Sequence, residues 1–115
     1  MRSKLGDKVR LQHTPDAIDE IQVYLFAINQ ALFLDNSMMR FACIKQMEII
    51  GEASNHLSTE LKIKFSDVEW AQIVNMRNVF THEYFGIDSS LVWEIIQNDI
   101  PELKEKVEFI LKSIQ

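Results

Sequence analysis

Wherever apolar residues cluster in this chain they recur at spacings of three and four, and nowhere do they alternate with polar ones. Ile18, Ile21, Leu25, Ile28 and Leu32 form one such stripe. A second runs through Phe41, Ile44, Met47 or Glu48, and Gly51, beside Ile50, Ala53 and Leu57. Leu91, Val92, Ile95 and Ile96 with Trp93 form a third. The last contains Leu103, Val107, Ile110 or Leu111, and Ile114. That period belongs to amphipathic helices. With only 3 Gly and 2 Pro in 115 residues, the chain has little turn-forming material, which favours few and long elements. The expectation is an all-α, antiparallel bundle of four long helices plus short ones, forming a single domain over residues 1–115 around one core.

Punctuation residues place the boundaries. Thr14-Pro15-Asp16 reads as a helix start, with Thr14 as N-cap and Pro15 where its missing N–H costs nothing. This first helix is expected to reach about Leu34, with Tyr24 and Phe33 off its inward stripe. Asn36 or Ser37 can cap a second helix running to about Leu57, and the short loop before it makes the two antiparallel neighbours. Ser58 and Thr59 open a short helical connector. Ser66-Asp67 leads into a third long helix from Val68 to about Tyr84, stopped by Gly86. Asp88 or Ser89 caps a fourth, about Ser90 to Asn98, and Pro101 marks a break or the start of the last. Gly51 in a helix interior costs roughly 1 kcal/mol relative to Ala, so a close helix crossing is its most economical explanation.

Composition excludes several classes. No apolar run approaches the length of a bilayer span, and no apolar segment follows the basic start of the chain, so a cytoplasmic location without membrane attachment is expected. Cys43 is the only cysteine, which rules out an intrachain disulfide or a cysteine-based zinc site and leaves core packing as its role. The net charge of −5 argues against broad affinity for nucleic acid. Within residues 1–13, however, Arg2, Lys4, Lys8 and Arg10 face only Asp7. This basic N-terminal arm on an acidic body reads either as a means of drawing in a polyanion or as a solvated terminus.

The polar residues of interest sit in Met76-Arg77-Asn78-Val79-Phe80-Thr81-His82-Glu83-Tyr84. At 100° per residue, Tyr84, Arg77, Thr81, Asn78 and His82 share an arc of about 160°, while Ile73, Met76, Val79 and Phe80 fall on the opposite, inward side. Such an arc does nothing for folding. Val74 and Phe85 interrupt it with apolar surface, which suggests a face covered by a second subunit. On the preceding helix, Glu48, Glu52 and His56 lie in one row. Two carboxylates and an imidazole suit a metal, but a bundle metal site needs matching ligands from a facing helix and none appear. The row reads as a solvated face, with no metal and no cofactor expected.

Arg77, four residues, His82, one residue and Tyr84 resemble the signature of the HEPN superfamily, specifically its HepT-like ribonuclease toxins. Asp7 to His13, Ile50-Gly51-Glu52-Ala53, Trp70 to Met76 and Leu91-Val92-Trp93 are similar to the same family, so the resemblance covers nearly the whole chain. Thr14-Pro15 departs from it, standing where two apolar residues would follow His13. The resemblance implies a HEPN-like bundle and a metal-independent endoribonuclease. In it Arg77 holds the phosphate, His82 transfers the proton, and Asn78 positions the phosphate or the Arg. Glu52, whose segment packs near the motif in that family, would orient Arg77 or His82. It further implies a homodimer or higher even oligomer that pairs two Arg-His sets. The partner would be a nucleotidyltransferase antitoxin that adds AMP to Tyr84. The alternative is a non-catalytic helical partner of a nucleotidyltransferase.

Overall fold

In the computed structural model residues 4–82 and 86–114 are described, with the side chains of Lys4, Leu5 and His82 outside that description. Seven α-helices run through them: α1 (Lys4–Tyr24), α2 (Gln30–Leu34), α3 (Ser37–Asn55), α4 (Thr59–Lys64), α5 (Trp70–His82), α6 (Ser89–Glu94) and α7 (Ile100–Ser113). A π-helical turn, Ile95–Asp99, joins α6 to α7 without a break. The described residues contain no strand, and the class is all-α.

Short polar side chains start the helices where the sequence places them. Asn36 Oδ1 accepts the Met39 N–H at 3.0 Å, Ser58 Oγ accepts that of Leu61 at 3.2 Å, and Asp88 Oδ1 accepts those of Ser90 and Leu91 at 2.9 and 3.3 Å. Each bond satisfies an amide with no partner inside its helix. α5 begins at Trp70 rather than Val68. There the Trp70 amide donates to the Val68 carbonyl and its indole N–H to the Phe65 carbonyl, at 2.9 and 3.1 Å, and these bonds hold the lead-in as a turn.

The first helix departs from expectation at both ends. It starts at Lys4 and passes through Pro15, so Thr14 is a buried mid-helix residue and not a cap. The stretch that reads as a basic arm is, from Lys4 on, the first part of α1. Packing overrides the proline here: Leu11, Ala17 and Ile18 are all buried, and tertiary burial supplies most of a helix's stability. At the other end α1 stops at Tyr24. Ala27 takes a left-handed backbone with φ of 59°, and Asn29 Oδ1 caps α2 by accepting the Leu32 N–H at 2.9 Å. This break rotates the stripe. Phe33, expected off it, is fully buried and lies 5.2 Å from the Trp93 ring, whereas Leu32 is half exposed.

The proline at position 101 is accommodated differently. A proline inside a helix lacks one N–H and crowds the carbonyl four residues back. The turn before it widens to the π form, with the Ile100 N–H donating to the Ile95 carbonyl, so the expected break becomes a continuous helix.

α3 lies at the centre, packed against α1 on one side and α5 on the other, while α7 packs on α1. Ile18, Ile21, Phe33, Met47, Ile50, Phe80, Val92 and Ile96 belong to one apolar cluster. Leu11, Leu57, Leu61, Trp70, Val107 and Ile110 belong to a second, with Ile73 and Leu103 touching both. Cys43 is wholly buried in the first cluster, and that burial pushes its thiol up to about 11, leaving it protonated and inert. Phe41, on the expected inward stripe of α3, is 48% exposed. No helix among the described residues is long and apolar enough to cross a membrane.

One buried carboxylate ties the two ends of this layout together. Asp7, in the first turn of α1, accepts the Ser58 N–H at 2.8 Å and the Ser58 hydroxyl at 2.5 Å. The cap of α4 is thereby itself anchored from α1. Asp7→Ala leaves both Ser58 donors without their partner in a partly buried site, and hydrogen bonds to a charged group contribute about 1.5 to 3 kcal/mol. Urea unfolding is expected to register a loss of about 2 kcal/mol or more; a stability unchanged from wild type would refute this tie.

Candidate active site on the α3–α5 face

The site rests on a close antiparallel crossing. Arg77 lies over Gly51, and four residues further along α5 Thr81 reaches back to Glu48, making a long 3.5 Å contact. A Cβ placed on Gly51 would stand 2.2 Å from the Arg77 Cβ and 3.1 Å from the Ile73 carbonyl oxygen. Only glycine fits beneath Arg77. The crossing inferred from Gly51 is thus present, and its partner is the motif arginine itself.

Seated this way, the Arg77 stem lies on the α3 backbone and its head meets the next residue of α3. Arg77 Nη2 is 2.6 Å from Glu52 Oε2, and Nη1 donates to Asn78 Oδ1 at 2.8 Å. The other Glu52 oxygen, Oε1, lies 2.6 Å from His56 Nε2. The three side chains of this row are 31% (Arg77), 45% (Glu52) and 45% (His56) exposed. Ion pairs this open to water add little to stability. Their consequence is orientation, since two of the five guanidinium donors are engaged by Glu52 and Asn78 and three remain for an anion.

The hydrogen bond from His56 lowers the Glu52 carboxyl from its usual value; burial opposes this, and the charge of Arg77 adds to the lowering. A lowered value means that the grip on Arg77 is complete above the ordinary Glu range. It is lost only as pH falls through the lower folded value.

The structure therefore brings together Arg77, Asn78 and Glu52 from the candidate set. His82 is the last described residue of α5, about 7.5 Å along the axis from Arg77; its side chain, and Tyr84 and Phe85 entirely, lie outside the described residues. On the inward side Phe80 is buried and Ile73 and Met76 pack on the core. Val79 does not: it is 37% exposed, because it lies at the edge of the inward arc, where the helix turns to water. His56 is the residue whose contact sequence reasoning did not draw. The row of Glu48, Glu52 and His56 is not simply solvated, since Glu52 is engaged by Arg77 and His56. The signal was the spacing of four between Glu52 and His56, which places the two in contact on any helix.

Comparison with known proteins points the same way. A family model described as Ribonuclease HepT-like matches residues 15–110. The chain is 36% identical over 108 residues to Putative RNase MJ1380 of Methanocaldococcus jannaschii, covering 94% of this chain and 99% of that one. It is 34% identical over 109 residues to Probable ribonuclease HepT of Thermococcus cleftensis, covering 95% and 99%. It is 40% identical over 81 residues to Putative RNase TTE0752 of Caldanaerobacter subterraneus subsp. tengcongensis, covering 70% and 72%. No solved structure matches.

Proposed function

The chain belongs to the HepT-like ribonuclease family, and from that premise we propose that it is a metal-independent endoribonuclease, the toxin of a toxin–antitoxin pair. The observation that carries this reading is the seating of Arg77: stem on Gly51, head held by Glu52 and Asn78. A guanidinium fixed before its ligand arrives stabilises charge developing on a phosphate without reorganising. His82, carrying a side chain that can serve as either acid or base, takes the proton from a ribose 2'-OH or returns one to the leaving 5'-oxygen. The 2'-oxygen bonds to phosphorus as the 5'-oxygen departs, so the products carry a 2',3'-cyclic phosphate.

One chain supplies one such histidine. A twofold homodimer, or a higher even oligomer, with the α5 faces opposed would supply both an acid and a base. The partly buried Val74 within the polar arc supports such a cover. Tyr84, two residues beyond His82, is the position at which a nucleotidyltransferase antitoxin would add AMP, blocking the cleft with bulk and negative charge.

Incubating the protein with total RNA in EDTA, wild type against His82→Ala, tests the reading. Cleavage by wild type alone, with cyclic phosphate ends, is expected; dependence on a divalent ion, or cleavage by the variant, would overturn the mechanism. Growth arrest on expressing the chain alone separates the toxin from a non-catalytic partner of a nucleotidyltransferase. Tyr84→Phe keeps the ring and loses the hydroxyl, so it is expected to go on cleaving while no longer being neutralised by the nucleotidyltransferase. Incorporation of labelled AMP into wild type and variant checks this directly.

A further inference from the structure

His56 touches the support of Arg77, yet neither the motif nor the proposed mechanism uses it. It follows the last residue of α3, and its own N–H donates to the Ala53 and Ser54 carbonyls, which fixes its backbone as the helix C-cap. From there Nε2 reaches Glu52 Oε1 at 2.6 Å while Arg77 holds Oε2 at 2.6 Å. Glu52 thus spans the two, one oxygen to each.

A half-exposed glutamate has three rotatable bonds and loses considerable side-chain entropy on being fixed. A contact to Arg77 alone, open to water, would fix it poorly. His56 supplies the second point of attachment, from the same helix and at the spacing where i and i+4 side chains meet. The Arg77 stem is located by Gly51, its head by Glu52, and Glu52 by His56.

We propose that His56 is a positioning residue for Arg77, acting through the Glu52 carboxylate it shares with the guanidinium. The inference rests on the reading of Arg77 as the phosphate clamp. His56 touches neither substrate nor reacting atoms in this role; it narrows the range of orientations from which Arg77 meets the phosphate.

The test is a double-mutant cycle on the full chain, measuring kcat/KM on a model RNA for wild type, His56→Ala, Glu52→Ala and the double variant. His56→Ala is expected to lower kcat/KM about threefold to tenfold, the equivalent of one modest hydrogen bond. His56→Gln, whose amide can still donate to Oε1, should recover most of that loss. In the Glu52→Ala background the His56 change should have no further effect, because coupled residues are not additive. A second measurement needs no activity: the backbone-independent order of the Arg77 Nε–Hε group by NMR, expected to fall in His56→Ala and to return in His56→Gln. Additive effects in the cycle, or an Arg77 as ordered in His56→Ala as in wild type, would overturn the proposal. If the wild type cleaves no RNA, the ribonuclease reading fails by itself, and the Arg77 order still decides whether His56 positions it.

Discussion

Gly51→Ala is expected to force α3 and α5 apart and to disable the site, although alanine is the better helix former. The added Cβ would meet the Arg77 Cβ at 2.2 Å, and carbon atoms pack at about 3.5 to 4.0 Å. Neither atom can rotate away, since each is bonded directly to its helix backbone, so relief comes only from moving one helix by more than about 1 Å. Overpacking of this kind costs typically about 1 to 3 kcal/mol, against roughly 1 kcal/mol gained from helix propensity. A net loss of about 1 kcal/mol, rising to about 2 at the upper end, would lower the melting temperature by roughly 3 to 10 °C. The displacement also carries Arg77 away from Glu52, so any RNA cleavage should fall further than stability does. A Gly51→Ala protein that melts with wild type and keeps full activity would show that the crossing is not as close as described.

Replacing the two proposed catalytic side chains should give the opposite pattern, with activity lost and the fold kept. Removal of a general acid or base typically costs about 10² to 10⁴ in rate, and His82→Ala is expected to fall in that range. Arg77→Ala should be comparably damaging, because the preorganised donors aimed at the phosphate disappear. It keeps the Cβ that fits over Gly51, and the ion pair it removes is half open to water, so the melting temperature should shift by only a few degrees. Arg77→Lys is expected to restore little, since an ammonium cannot offer a planar fork to Glu52 and Asn78 at once. Single-turnover cleavage alongside thermal unfolding checks all three. Loss of activity accompanied by equal loss of structure would place these residues in the scaffold and not in the chemistry.

Much of this site was legible residue by residue. Arg77 and Asn78 stand next to each other on a helix whose period is plain, and Gly51 announced a close crossing by its unsuitability for a helix interior. What residue spacing could not give was the partner across that crossing, where Glu52 entered only as the family resemblance implied it. Glu48, Glu52 and His56 form the same row on α3 whether they face solvent, a metal or an arginine from another helix, because a spacing of four encodes neighbours on one helix and nothing about the helix opposite. Only the antiparallel packing of α3 on α5 places Arg77 against Glu52 and turns a surface row into a support for the clamp.

The same division holds for the fold. Sequence by itself determined the all-α class and narrowed three helix caps to neighbouring pairs, Asn36 or Ser37, Ser58 or Thr59, and Asp88 or Ser89, because a cap is a bond between a side chain and an amide two or three residues away. Tertiary structure alone decided that α1 runs through Pro15, that it breaks around Ala27, and that Phe33 rather than Leu32 enters the core. At those places local preference is weak or contrary. The outcome is set by how much apolar surface each alternative buries against residues far away in the chain, such as Trp93 beside Phe33 and Val107 in the cluster that holds Leu11. Burial is a property of the assembled layers, and no window of sequence contains both sides of it.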